Sequence, residues 1–166
     1  MKTLISKARI ACQREVSSKK RALEILSELL SADQDGMTSA EIFSCLLERE
    51  RLGSTGLGHG VGIPHGRVKG LDSARAAILC LQRGLDYDSV ADNQPVDIIM
   101  ALLFPEECSD QHLTILANVA KLFHDEERCA RIRAANSPDK VYEELFREKI
   151  VDLVDETVSE KVGNQT

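Results

Sequence analysis

Hydrophobic residues recur at spacings of three and four in the first third of the chain, which predicts two successive amphipathic helices. The first begins after Ser17 or Ser18, and Asp35-Gly36 ends the connection that follows it. The second begins at Thr38-Ser39-Ala40-Glu41, where a hydroxyl at the cap and a carboxylate three residues later form the pattern of a capping box. The predicted inward residues are Ala22, Ile25, Leu26, Leu29 and Leu30, then Ile42, Phe43, Leu46 and Leu47.

Continuous apolar runs in the middle of the chain predict buried strands. The runs are Ala76 to Leu81 and Val96 to Phe104, and both faces of such strands must be covered. The polar segment from Asp86 to Pro95 predicts a loop between them. Near the N-terminus, Arg9 to Cys12 is a natural but very short candidate for a further strand.

The last third of the chain returns to helical spacing. One helix is capped by Ser109 or Asp110, a short one covers Glu126 to Ala134, and Ser137-Pro138 starts another. The predicted inward residues are Leu113, Leu116, Ala117 and Ala120 in the first, and Val141, Tyr142, Leu145 and Phe146 in the last. Helices alternating with apolar strands predict one α/β domain, with a mixed β-sheet flanked by helices on both faces.

A glycine-rich segment from Gly53 to Gly66 interrupts this pattern and holds six of the ten glycines. It contains no lysine for a Walker loop, and no stretch of it fits G-x-G-x-x-G, so its spacing disfavours both kinds of nucleotide loop. Glycines alternate from position 56 to 62, which predicts one extended strand with a bare face. Pro64 then ends the strand and places His65 in an open turn.

His65 is the residue on which this segment could perform chemistry. Neutral imidazole, with a pKa of about 6.5, is a nucleophile near neutral pH. A phosphoryl carrier of this kind needs a fixed tautomer, an open approach and cations for the phosphoryl oxygens. Arg49, Arg51 and Arg67 are the candidate cations, since a guanidinium can donate two hydrogen bonds to phosphate. A surface histidine without a chemical role is the alternative interpretation.

His112 is the second candidate histidine, in the first turn of a predicted helix. The positive end of the helix dipole favours a neutral ring and attracts anions, although a polar residue at a helix start needs no function. His59 and His124 fit surface positions. A metal-dependent hydrolase using His59, His65 and His112 is disfavoured, because no acidic ligand lies at a recognisable helical spacing and no H-E-x-x-H motif occurs.

Composition narrows the classes of function. The 166 residues fit one domain, and the formal net charge of −6 disfavours nucleic acid and suits a basic protein partner. No apolar run is long enough to span a bilayer, and no secretory signal opens the chain, so we expect a cytoplasmic protein. Five widely spaced cysteines without a C-x-x-C pair disfavour a disulfide framework and a zinc site: Cys12, Cys45, Cys80, Cys108 and Cys129.

Several blocks of the sequence resemble the IIA domains of the fructose/mannitol class, type 2, of the bacterial phosphoenolpyruvate phosphotransferase system. These blocks are Arg49 to Gly58, Ile63-Pro64-His65-Gly66, Asp92 to Val96 and His112-Leu113. Within that class the resemblance is greatest to the nitrogen-regulatory IIA proteins. It implies an α/β fold with a mixed sheet between helices.

The resemblance also implies roles for individual residues. His65 would be phosphorylated through Nε2, and Arg49 and His112 would hydrogen-bond the phosphoryl oxygens. Thr55 and Gly66 would support the phosphoryl group and its loop. The implied donor is an HPr-like phosphocarrier protein, charged from phosphoenolpyruvate through an enzyme I. Neither a metal nor a further cofactor is implied.

We therefore expect a type-2 IIA domain over residues 1–150, followed by a C-terminal helical extension and polar tail over residues 151–166, of which Asp155 to Thr166 should fray. The expected function is a phosphohistidine relay that regulates nitrogen-related, potassium-related or metabolic targets by binding them. The sequence holds no IIB, IIC or HPr-like domain, which favours regulation. The alternative is a sugar-transport IIA component that passes phosphate to a IIB domain.

Overall fold

The computed structural model describes residues 4–32, 36–88, 92–107 and 110–147. Within these residues the strands are β1 (Ile10–Arg14), β2 (Gly56–Gly58), β3 (Val61–Gly62), β4 (His65–Val68), β5 (Arg75–Leu85) and β6 (Val96–Pro105). The helices are α1 (Lys19–Ser31), α2 (Ser39–Leu52), α3 (Gln111–Phe123), α4 (Glu126–Ala134) and α5 (Pro138–Phe146). Asp35, Cys108, Ser109 and the expected tail over 151–166 lie outside the described residues.

The described strands form one mixed sheet in the order β1-β5-β6-β3-β2, with β4 also paired to β6. β5 and β6 are antiparallel, whereas β1 runs parallel to β5, and β3 and β4 run parallel to β6. The two apolar runs thus lie at the centre of the sheet, and β1 confirms the short strand suspected near the N-terminus. The single α/β domain with a mixed sheet is confirmed.

Two hydrophobic cores lie on opposite faces of the central strands. Successive β6 residues alternate between them: Ile98 and Met100 pack with α3, α4 and α5, while Ile99 and Ala101 pack with α1 and α2. This alternation explains the apolar runs 76–81 and 98–104 of the central strands, because each side chain within them meets one of the two cores. The expectation of helices on both faces is therefore confirmed.

Most helix starts follow the predicted caps. Ser18, rather than Ser17, caps α1 by accepting the Arg21 N–H at 3.1 Å. Thr38 and Glu41 form the reciprocal capping box of α2, with both hydrogen bonds at 3.2 Å. The predicted bounds of α4 and the Ser137 cap of α5 are confirmed as well.

The inward face predicted for α3 was wrong in part, although Leu116 packs against the core as predicted. Leu113 and Ala117 are exposed, and the buried positions are Val119, Leu122 and Phe123. Apolar residues occur on more than one side of this helix, so their spacing alone did not identify the packed side. The first turn of α3 borders an open groove, and the helix packs against the core from Ile115 onward.

The prediction of one continuous glycine strand was also wrong. β2 and β3 are the antiparallel arms of a hairpin, and His59 (φ 55°) and Gly60 (φ 80°) form its turn in the left-handed region. His65 does not lie in a turn but begins β4, paired with Leu102 of β6. The Pro64 carbonyl accepts the Leu102 N–H at 2.9 Å, so proline joins the ladder as an acceptor and does not end it.

The capping box predicts a measurable contribution of Thr38 to stability. Replacing Thr38 with Ala leaves the Glu41 N–H without its side-chain acceptor, and the free energy of unfolding should drop by about 1 kcal/mol. Urea unfolding measures the change. Ser44→Ala on an exposed face of the same helix is the control, and an equal loss in both variants would contradict the role of the cap.

Candidate active site

An open groove of about 640 Å³ lies where the end of α2, strand β4 and the start of α3 meet. It brings together three residues that the sequence singled out: His65 from β4, Arg49 from α2 and His112 from α3. Arg51 and Arg67, the other candidate cations, line the same groove. Residues far apart in the chain thus converge on one surface.

The His65 ring is half-buried and fixed in one tautomer. Its Nδ1 lies 2.9 Å from the Ile63 carbonyl oxygen, which can only accept, so Nδ1 carries the proton and Nε2 keeps its lone pair. Burial is the main cause that lowers the pKa of His65 below its usual value, and Arg49 acts in the same direction while the Ile63 carbonyl opposes it. A neutral, nucleophilic ring at pH 7 follows.

Two of the arginines that line the groove, Arg49 and Arg67, are held by hydrogen bonds. Arg49 Nη1 donates to the Gly53 carbonyl at 3.0 Å. Arg67 Nη2 lies 2.9 Å from Nε2 and 3.2 Å from Nδ1 of His112. Because a guanidinium only donates, the nitrogen of the His112 ring that accepts this hydrogen bond carries no proton. Phe104 meets the His112 ring edge to face, with centroids 5.6 Å apart.

Gly66 allows α2 to approach β4 closely. A side chain at this position would overlap Cys45 Sγ, which donates to the Arg67 carbonyl at 3.2 Å. The close approach places the last turns of α2, and with them Arg49, beside His65. Gly66 therefore acts through packing.

Thr55 supports the loop from beneath the groove and does not line it. Its hydroxyl lies 2.7 and 2.9 Å from the two carboxylate oxygens of Glu50, and 3.1 Å from the Tyr87 hydroxyl. Sequence reasoning missed Glu50 because it stands in the charged run Glu48 to Arg51. The available signal was its spacing of four from Leu46, which continues the buried stripe of α2.

Leu52 and Leu113 are the large hydrophobic side chains that the structure leaves exposed within its described ranges, at 85% and 60%. Both border the groove, from the end of α2 and the start of α3. Both edges of the groove therefore present apolar surface to solvent.

The three-histidine hydrolase is not supported by the geometry. His59 lies on the exposed hairpin turn, 3.9 Å from Glu126, in a different depression from that of His65 and His112. Among the described residues, no three His, Cys, Asp or Glu side chains lie close enough to hold a metal ion. In the same residues, no helix combines the length and apolarity needed to cross a membrane.

Comparison with known proteins identifies the class to which this fold and groove belong. The chain is a member of the family described as phosphoenolpyruvate-dependent sugar phosphotransferase system, EIIA 2, whose model matches residues 3–148. A nitrogen regulatory protein from Klebsiella oxytoca is 44% identical over 140 residues, covering 83% of this chain and 82% of that protein. Membership of the family gives the chain a phosphocarrier role.

Solved structures agree with this assignment. The nitrogen regulatory protein IIA-Ntr from Neisseria meningitidis has a TM-score of 0.80 at 35% identity, covering 86% of this chain and 96% of that one. Enzyme IIAMTL from Escherichia coli, solved in complex with phosphorylated enzyme IIBMTL, has a TM-score of 0.69 at 19% identity, covering 86% and 98%, and shares the fold. The chain is thus a homologue of nitrogen-regulatory IIA proteins.

The electrostatics of the groove predict an acid-shifted titration of His65. Its NMR midpoint should lie below the value of about 6.5 shown by the urea-unfolded chain, because burial disfavours the charged ring. Since the unfolded ring binds its proton at higher pH, the free energy of unfolding should fall as pH drops below about 6.5. In Arg49→Ala the midpoint should move upward. A midpoint at or above that of the unfolded chain would contradict this account.

Proposed function

We propose that this protein is a phosphohistidine relay in which Nε2 of His65 accepts a phosphoryl group from an HPr-like protein, and that its phosphorylation state regulates target proteins by binding. The observation that carries the proposal is the bond from Nδ1 to the Ile63 carbonyl. It leaves Nε2 as the nucleophilic atom in a groove that already holds Arg49 and His112.

The transfer step follows from this geometry. The Nε2 lone pair attacks the phosphorus, the new N–P bond forms as the donor's N–P bond breaks, and the released electron pair returns to the donor ring. Arg49 and His112 hydrogen-bond the phosphoryl oxygens, and Arg67 adds positive charge while it orients His112. Such charge stabilisation is the main catalytic requirement of phosphoryl transfer.

The rim of the groove supports a protein rather than a small molecule as donor. Leu52 and Leu113 offer apolar contacts on both sides of His65, and the space between them is open. We place the reaction in the cytoplasm, where free thiols such as Cys45 and Cys80 persist.

A second candidate is a sugar-transport IIA component that passes phosphate to a IIB domain. The IIAMTL–IIBMTL complex from Escherichia coli shows a protein of this fold with such a partner. Sequence identity favours regulation, since the nitrogen regulatory protein of Klebsiella oxytoca is 44% identical and the mannosyl-glycerate-specific EIIABC component of Escherichia coli is 27% identical.

Labelling tests the residues of the site. Incubation with enzyme I, an HPr-like protein and radioactive phosphoenolpyruvate should add one acid-labile phosphate, and His65→Ala should abolish it. Arg49→Ala and His112→Ala should fold but accept phosphate roughly tenfold or more slowly, because each removes a donor to the phosphoryl oxygens.

Matched controls come from exposed residues that do not line the groove. His124→Ala, at the end of α3, and Arg83→Ala, on β5, should label at the wild-type rate. Full labelling of His65→Ala would refute the assignment of the phosphorylated residue.

A partner experiment separates regulation from transport. Wild type, His65→Ala and His65→Glu are used as bait, and the bound proteins are identified by mass spectrometry. Regulation predicts kinases, channels or transcription regulators whose binding differs between the two variants, since His65→Glu adds the negative charge that phosphorylation would add. Capture of a IIB domain, followed by phosphate transfer to it, would establish the transport alternative.

A further inference from the structure

A polar cluster of Lys19, Glu50, Thr55 and Tyr87 lies beneath the groove. Glu50 is only 8% exposed, although it is charged and follows Arg49 directly in α2. Its carboxylate accepts the Thr55 N–H at 2.9 Å and the Thr55 hydroxyl at 2.7 Å, and it pairs with Lys19 Nζ at 2.9 Å. A buried carboxylate is tolerated only when it is paired and hydrogen-bonded in this way.

The other members of the cluster hold Thr55 and Glu50 in place. Burial is the main cause that raises the pKa of Tyr87 far above its usual value, and the Glu50 charge adds to it, so the phenol stays protonated. Its hydroxyl lies 3.1 Å from Thr55 Oγ1. Lys19 also donates to the Tyr87 carbonyl at 3.1 Å and lies 4.2 Å from the centre of its ring.

Hydrogen bonds connect this cluster to the His65 ring. The Thr55 carbonyl accepts the Ile63 N–H at 3.0 Å, and the Ile63 carbonyl accepts the His65 Nδ1–H at 2.9 Å. The Glu50 carboxylate holds Thr55 in place by accepting hydrogen bonds from the N–H and from the hydroxyl of Thr55. A continuous series of hydrogen bonds, through Thr55 and Ile63, thus links the buried carboxylate of Glu50 to the His65 ring.

We propose that Glu50 is a positioning residue for phosphoryl transfer at His65: through Thr55 and Ile63 it keeps the proton on Nδ1 and presents Nε2 to the donor. This inference rests on the proposed function of His65. After transfer the ring keeps Nδ1–H and bears phosphate on Nε2, so the ring itself is positively charged. The Ile63 carbonyl and the negative charge of Glu50 both stabilise that product.

Glu50→Gln tests the proposal because it keeps the shape of the side chain and removes its charge. The transfer rate constant, measured with phosphorylated HPr-like protein, should fall about tenfold or more while the KM for the donor stays unchanged. In ¹⁵N NMR of the unphosphorylated variant, the His65 Nε2–H tautomer should gain population. Glu143→Gln, exposed on α5, is the charge-matched control and should behave as wild type.

A second variant covers the case in which Glu50→Gln does not fold. Thr55→Val removes the hydroxyl link and should cause the same tautomer change with a smaller loss of rate. A folded variant with the wild-type tautomer and the wild-type rate constant would overturn the proposal. If wild-type His65 accepts no phosphate, the proposed function fails, and the NMR result still decides whether Glu50 fixes the tautomer.

Discussion

The close packing of α2 against β4 is the contact on which the site depends. Gly66 has no side chain to keep Cys45 away, so the end of α2 lies directly beside the strand that carries His65. Two consecutive residues of α2 then point in different directions: Arg49 into the groove and Glu50 into the protein. One helix end thus supplies a cation to the groove and a buried anion to the protein interior.

The groove differs in charge from the rest of the molecule. The whole chain carries a formal net charge of −6, yet the described residues that line the groove include three arginines (Arg49, Arg51 and Arg67) and one carboxylate, Glu48. Long-range repulsion of an acidic partner and short-range attraction of a phosphoryl group therefore coexist. A negatively charged group is therefore attracted at this groove, although the net charge of the chain is negative.

Local patterns identified much of the fold. The capping box at Thr38 could be predicted because it depends on hydrogen bonds between residues three apart in the chain. The central strands could be predicted because nearly all of their side chains are buried and therefore apolar. The convergence of Arg49, His65 and His112 followed only from the family resemblance, since no local rule relates a helix end, a short strand and a distant helix. The hairpin turn at His59 was missed, because alternating glycines fit an extended strand as well as a turn with positive φ.

The two exposed leucines lie next to the phosphate-binding candidates in the chain. Leu113 follows His112 directly, and Leu52 ends the helix that carries Arg49. A protein seated on these leucines covers the same groove that a phosphoryl group would fill, with a charge of about −2 against a local excess of positive charge. Under the proposed function, recognition and chemical state share one surface, and a partner that binds there would read the phosphorylation of His65 by direct contact, without any change in the fold.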